Sequence, residues 1–296
     1  MKAMVLAAGL GTRLRPLTDD KPKALVTVGG KTLLEIALLT LRSFGVDEVI
    51  VNVHHFADMI CDFLDENGNF GMRIEISHED ELLDTGGGLK NAAWFFIEEV
   101  ADSQPDSAMP TENVTALKGH DFSRAENSPK STGPLGPEGP RSPLPIDEPF
   151  ILHNVDVLST IDLARMVRQH REQGALATLA VQQRETSRYL LFDKNGHLCG
   201  RRKVRDGRDE MARPAAQVQA LAFAGIHVIS PRLLTMLREE DAFSIIDAYL
   251  SLAARGEKIA TFRADEYYWR DLGRSENIAE VERELKSNAE TRPMAK

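Results

Sequence analysis

Glycines and cations crowd the start of the chain. An apolar run from Met1 to Ala8 passes straight into Gly9-Leu10-Gly11-Thr12-Arg13-Leu14-Arg15-Pro16, and Lys21-Pro22-Lys23 follows. A buried strand that opens into glycines lets backbone N–H groups converge on an anion, and Arg13 and Lys23 add the positive charge that a polyphosphate demands. The segment reads as a site for the phosphates of a nucleotide. Two familiar phosphate loops do not fit it. A P-loop needs a lysine followed by a hydroxyl residue at a spacing that is missing after Gly9, and a dinucleotide fingerprint needs a third glycine where Leu14 sits. A second glycine cluster, Asp84-Thr85-Gly86-Gly87-Gly88, has two readings. Its backbone is free to touch a ligand where no Cβ would fit, or Thr85 caps a helix whose first residues are glycines.

These groups need elements to hold them, and the hydrophobic pattern supplies an alternation. Met1 to Ala8, Glu48 to Val53 and Arg73 to Ser77 read as strands; Leu33 to Ser43 and Met59 to Leu64 read as helices between them. A helix from Leu89 to Val100 and a short strand from Phe150 to Asn154 follow. Farther on, a helix from Ile161 to Gln173, a strand from Ala177 to Val181 and a hairpin turning at Asn195-Gly196 are expected. A strand from Ala220 to Ile229, a helix starting at Ser230-Pro231 and a final helix to about Lys286 complete the order. Such alternation predicts an α/β fold: a doubly wound, mainly parallel, Rossmann-like sheet with helices on both faces and ligands at the carboxyl ends of the strands.

Composition narrows the classes. The 296 residues carry 42% hydrophobic side chains and a net charge of -9, which argues against a general nucleic-acid binder, since that needs a basic face, and makes the cations of the glycine loop a local island. Cys61 and Cys199 stand far apart without a metal-ligand pattern. The start lacks a signal segment and no run of eighteen apolar residues occurs, so no membrane association and a cytoplasmic location are expected. Between residues 103 and 146 lie eight of the fourteen prolines, with many Ser, Gly and charged residues. That composition predicts a disordered insertion in a single domain spanning 1–286, with 287–296 as a flexible tail.

The run Leu6-Ala7-Ala8-Gly9-x-Gly11-Thr12-Arg13-x-Arg15-Pro16-Leu17-Thr18, followed by Pro22-Lys23-x-Leu25-x-x-Val28, resembles the signature of the sugar-nucleotide pyrophosphorylases. The resemblance extends to Gly273 and implies the nucleotide-diphospho-sugar transferase type of fold. It makes Ala8, Gly9, Gly11 and Thr12 nucleotide contacts, and it gives Leu83-Asp84-Thr85-Gly86-Gly87 the part of closing over base and sugar. It further implies that Asp156 and Asp271 hold Mg2+, which suits two carboxylates completed by phosphate and water oxygens. Asn154 and Gly225, the latter in Phe223-Ala224-Gly225-Ile226, fall on the sugar side. Val155 stands where the family usually has glycine, which puts the identity of the sugar in question.

The implied reaction joins a nucleoside triphosphate to a sugar 1-phosphate and releases pyrophosphate. The attacking oxygen is already anionic, so catalysis reduces to in-line placement and charge neutralisation: Arg13 on the leaving phosphates, Lys23 on the α-phosphate or the incoming one. The Thr-Gly-Gly-Gly form is most similar to the short bacterial enzymes that activate N-acetylmuramic acid, which favours UTP over GTP. A non-catalytic nucleotide-sugar-binding subunit and a cytidylyltransferase for choline phosphate are the alternatives. The first normally lacks the cationic and acidic positions that this chain keeps. Nothing in the sequence fixes the oligomeric state.

Overall fold

Alternate side chains of the first strand point to opposite halves of the interior. Ala3 and Val5 of β1 (Lys2–Leu6) join one buried cluster with Leu34, Leu38 and Ile226, whereas Met4 joins another with Phe150, Leu152 and Tyr249. A strand buried on both faces belongs in the middle of a sheet covered on both sides. The computed structural model describes residues 1–97, 148–205 and 207–291, and the expected insertion at 103–146 and the last residues, 292–296, lie outside them.

After β1 the chain forms a small hairpin, β2 (Thr27–Val28) and β3 (Lys31–Thr32), then α1 (Leu33–Ser43), β4 (Glu48–Val53), α2 (Ala57–Glu66), β5 (Arg73–His78) and α3 (Asp84–Asn91). It resumes with β6 (Phe150–Asn154), β7 (Val157–Ser159), α4 (Leu163–Gln173), β8 (Ala177–Gln182), β9 (Arg188–Phe192), β10 (Leu198–Lys203), β11 (Arg208–Met211) and β12 (Gln219–Ile229). The last elements are α5 (Ile245–Ala254), β13 (Ile259–Arg263), β14 (Trp269–Asp271) and α6 (Ser275–Thr291). Local chemistry sets several ends. Thr32 accepts from the Glu35 amide at the start of α1, Asp162 accepts from the Arg165 amide at the start of α4, and Gly174 ends α4 at φ 56°.

The main sheet has ten strands in the order β11-β10-β9-β12-β6-β1-β4-β5, with β8 beside β12 and β13 beside β8. Its β6-β1-β4-β5 part is parallel, as the alternation predicts. The other half is largely antiparallel, so the sheet is mixed. The long β12 makes this possible, because its register shifts between Phe223 and His227, where Gly225 holds φ 76°. Its first residues pair with β9 and its last with β6.

Four expectations change. The helix expected from Leu89 begins instead at Asp84 and stops at Asn91, which puts Gly86, Gly87 and Gly88 inside it. The Asn195-Gly196 turn is a longer loop in which the Asp193 carboxylate accepts from the amides of Asn195 and His197, and only Gly196 is left-handed. The helix at Pro231 is a 3-10 segment. Finally, α6 continues to Thr291, so the expected flexible tail at 287–296 begins with helix. Among the described residues no helix is long and apolar enough to cross a membrane. Phe96 and Phe150, on either side of the undescribed stretch, stack with ring centroids 3.8 Å apart.

Candidate active site

The glycine loop leaves the carboxyl end of β1 and tightens into a 3-10 turn, Thr12–Leu14. Gly11 sits there at φ 64°, and a Cβ on it would lie 3.0 Å from both Lys23 Cβ and Thr18 Cγ2. Only glycine meets both demands. The Thr18 hydroxyl donates to Gly11 O at 2.9 Å and ties the loop to the segment that brings in Lys23. Among the described residues no protein acceptor faces the amides of Ala8, Gly9 and Gly11, which leaves them free for an anion.

Lys23 reaches across to β6. Its ammonium donates to Asp156 Oδ2 in a pair whose side chains are each only 13% exposed. Asp156 follows β6 and precedes β7, which pairs with β14 so that Val157 faces Asp271. The Leu272 amide donates to Asp156 O at 2.8 Å, and the Gly273 amide donates to Asp271 Oδ1 at 2.7 Å. These bonds draw the two carboxylates together. A methyl group placed on Gly273 would lie 2.8 Å from Asp156 Oδ2, 2.8 Å from Asp271 Oδ1 and 3.1 Å from Arg13 Nη2. Two acids and a guanidinium separated by up to 258 residues therefore meet at one point. Among the described residues no cluster of three or more His, Cys, Asp or Glu side chains is arranged to hold a metal, so any cation here takes its remaining ligands from elsewhere.

A cleft of about 1290 Å3 opens beside that point, lined by Arg13, Asn154, Asp156, Gly225, Trp269 and Asp271 among others. Asn154 and Gly225 are neighbours there, since a Cβ on Gly225 would meet Asn154 Nδ2 at 3.0 Å. Val155 does not narrow the cleft. It is 3% exposed and belongs to the core that contains Val5.

Thr85, Gly86 and Gly87 are placed differently from expectation. The amides of Gly86 and Gly87 donate to Phe243 O at 2.9 and 3.3 Å, and a Cβ on Gly86 would lie 2.3 Å from the Phe243 ring. The Thr85 hydroxyl accepts from the Ile245 amide, capping α5 and not its own helix. In this structure the glycines admit the chain before α5, and none of these three residues lines the cleft.

Arg184 escaped the sequence reading. It lies 3.8 Å over the Trp269 ring and donates to Phe223 O at 2.7 Å, while the Trp269 indole donates to Ala224 O. Burial holds its guanidinium below the usual arginine value, with nearby Asp271 opposing that shift. Lone arginines carry no periodicity, so nothing in the sequence marked it. Among the described residues no histidine lines the cleft. His153 is pushed down to about 4 by burial and His227 to about 3, so both are neutral at pH 7 and sit in the interior.

A glycine loop at a parallel strand end, with acids and cations converging on a polar cleft, defines an α/β protein with a charged cleft at the carboxyl ends of its parallel strands. Residues 2–106 match the family model for Nucleotidyl transferase. The chain is 53% identical over 93 residues to N-acetylmuramate alpha-1-phosphate uridylyltransferase of Caulobacter vibrioides, covering 30% of this chain and 38% of that protein. It is 27% identical over 286 residues to UTP--glucose-1-phosphate uridylyltransferase of Synechocystis sp., covering 93% of this chain and 60% of the relative. The fold matches that of the inositol-1-phosphate CTP transferase from T. maritima with a TM-score of 0.63 at 14% identity, over 96% of each chain. Over its first third the chain is thus similar to the nucleotidyl transferases, and the resemblance in its first residues is borne out. It spans from 38% to 62% of the length of the curated relatives it matches.

Proposed function

We propose that this protein transfers a nucleotidyl group from a nucleoside triphosphate to a sugar 1-phosphate. One observation carries this reading: Arg13, Asp156 and Asp271 converge on Gly273 beside the glycine loop. In the reaction an oxygen of the sugar phosphate forms a bond to the α-phosphorus while the bond from that phosphorus to the bridging oxygen breaks, and pyrophosphate leaves. The nucleophile carries its charge already. No general base is needed, in keeping with the neutral interior histidines. The loop amides and Arg13 hold the departing phosphates, Lys23 neutralises the α-phosphate or the incoming one, and Asn154 and Gly225 face the sugar.

Asp156 and Asp271 would hold Mg2+, because two carboxylate oxygens within 2.8 Å of one point suit a hard cation with phosphate and water oxygens as its other ligands. When bound, the ion supplies charge neutralisation between the two phosphate groups. UTP is the favoured triphosphate, supported by the 53% identity to a uridylyltransferase in the first third of the chain. A cytoplasmic location accompanies this reading. The test is pyrophosphate release with Mg2+ across UTP, GTP, CTP and dTTP, each against a panel of sugar 1-phosphates. Release with at least one pair is expected, and binding without turnover across the panel would overturn the reading.

The segment 103–146 is proposed to be dispensable for this activity. Since Phe96 and Phe150 stack, the chain leaves and rejoins the described part at one place. Replacing 103–146 with a short Gly/Ser linker is expected to keep both the melting temperature and pyrophosphate release, and loss of either would make the segment part of the working protein.

A further inference from the structure

Beneath the glycine loop lies a buried carboxylate that the proposed chemistry does not use. Glu79, 1% exposed, follows β5, and among the described residues no cation pairs with it. Its Oε1 accepts from Asn52 Nδ2 at 2.6 Å, and its Oε2 accepts from the Leu83 amide at 3.0 Å. Asn52, 3% exposed at the end of β4, in turn accepts at Oδ1 from the Ala7 amide at 2.7 Å. One uninterrupted hydrogen-bonded path thus runs from Ala7, where the glycine loop begins, to Leu83, where the Thr-Gly-Gly-Gly helix begins. Gly88 of that helix closes over it, for a Cβ there would lie 2.5 Å from Glu79 Oε1 and 2.8 Å from Asn52 Nδ2.

An unpaired buried carboxylate is costly, and a well-packed apolar substitute is often as stable or more so. What the acid provides is two acceptors for two donors. We infer that Asn52 and Glu79 are positioning residues that lock the glycine loop to the Thr-Gly-Gly-Gly helix, so that the two segments hold one spacing when a nucleotide binds. The inference rests on the proposed nucleotidyl transfer for its kinetic consequence, and on the hydrogen-bond path alone for its structural one.

The donor and acceptor pattern yields a swap test. Glu79→Gln turns one acceptor into a donor and sets it against Asn52 Nδ2 or the Leu83 amide. Asn52→Asp sets a carboxylate against the Glu79 carboxylate. The double variant satisfies every group again: the carboxylate at 52 accepts from Ala7 and from the new amide at 79, whose oxygen accepts from Leu83. Each single change is expected to lower kcat/KM for the triphosphate about tenfold or more at a temperature well below unfolding, with KM for the sugar phosphate little moved, and the double variant to regain most of it. Amide hydrogen exchange on the resting protein gives a readout free of turnover. Both singles should speed exchange at residues 7–11 and at 83–88 together, and the double should slow it. Exchange that rises only in the segment next to the changed residue, or a double no better than the worse single, overturns the inference. Coupled exchange in a protein that releases no pyrophosphate supports the lock and overturns the proposed reaction instead. Lower melting temperatures with unmoved kinetics and uncoupled exchange would leave the pair a purely structural one and also overturn it.

Discussion

Arg13→Ala is expected to cut turnover at least about a hundredfold while thermal unfolding stays where it is, since removing one preorganised charge contact at a transition state costs about 2.7 to 4 kcal/mol. The asymmetry follows from where the side chain sits. Arg13 is exposed to the cleft and makes no hydrogen bond or ion pair among the described residues, so its loss costs the resting fold little. Lys23→Ala should lower the rate to a similar degree, yet it should also lower the melting temperature. Its ammonium is mostly buried against Asp156, and removing it leaves a carboxylate without its partner. Pyrophosphate release and a thermal melt on the two variants check both halves of the statement. Near-normal rates in both would sink the assignment of the phosphate site.

Replacing either acid at the convergence point should have a comparable effect, read through the metal. If Asp156 and Asp271 share one Mg2+, Asp156→Asn and Asp271→Asn each weaken the dependence of turnover on Mg2+ concentration. The double variant should then be little worse than the worse single one, because groups that act as a unit are strongly non-additive. Losses that multiply would mean separate roles. Gly273→Ala is the geometric form of the same experiment, for its methyl would fall 2.8 Å from an oxygen of each carboxylate. It should impair the metal response with both acids intact. Unchanged metal dependence in Asp271→Asn would remove that residue from the site.

Local chemistry was the legible part of this chain. Gly11 and Lys23 are close in sequence, and the φ of 64° and the contact at 3.0 Å that demand glycine at position 11 are consequences of that short span. The parallel strands β1, β4 and β6 were equally open to reading, because buried parallel strands are continuous apolar runs. The pairing of Asp156 with Asp271 was not. It depends on β7 meeting β14, a ladder of three residue pairs across more than a hundred residues, and only family resemblance suggested it. The glycines at 86–88 show a different limit. Their sequence says that something comes too close for a Cβ, but not whether that is a ligand or, as here, Phe243, Asn52 and Glu79. Asn52 itself carried a faint signal, a single amide inside the otherwise apolar Val49 to Val53. Of the antiparallel half only the hairpin at Asn195-Gly196 was open to reading; the rest hinges on one shifted register in β12, at Gly225, which periodicity does not register.

The chain contains only two tryptophans, and the fold has put them to opposite uses. Trp94 is 57% exposed and lies outside the lining of the cleft, whereas Trp269 forms part of the cleft wall with the Arg184 guanidinium lying across its face. Indole emission responds to adjacent charge and solvent, so the molecule has an optical probe seated in the wall of the cleft. A Trp94→Phe chain would isolate that signal, and occupancy of the cleft could then be followed by light, without a label and without waiting for chemistry.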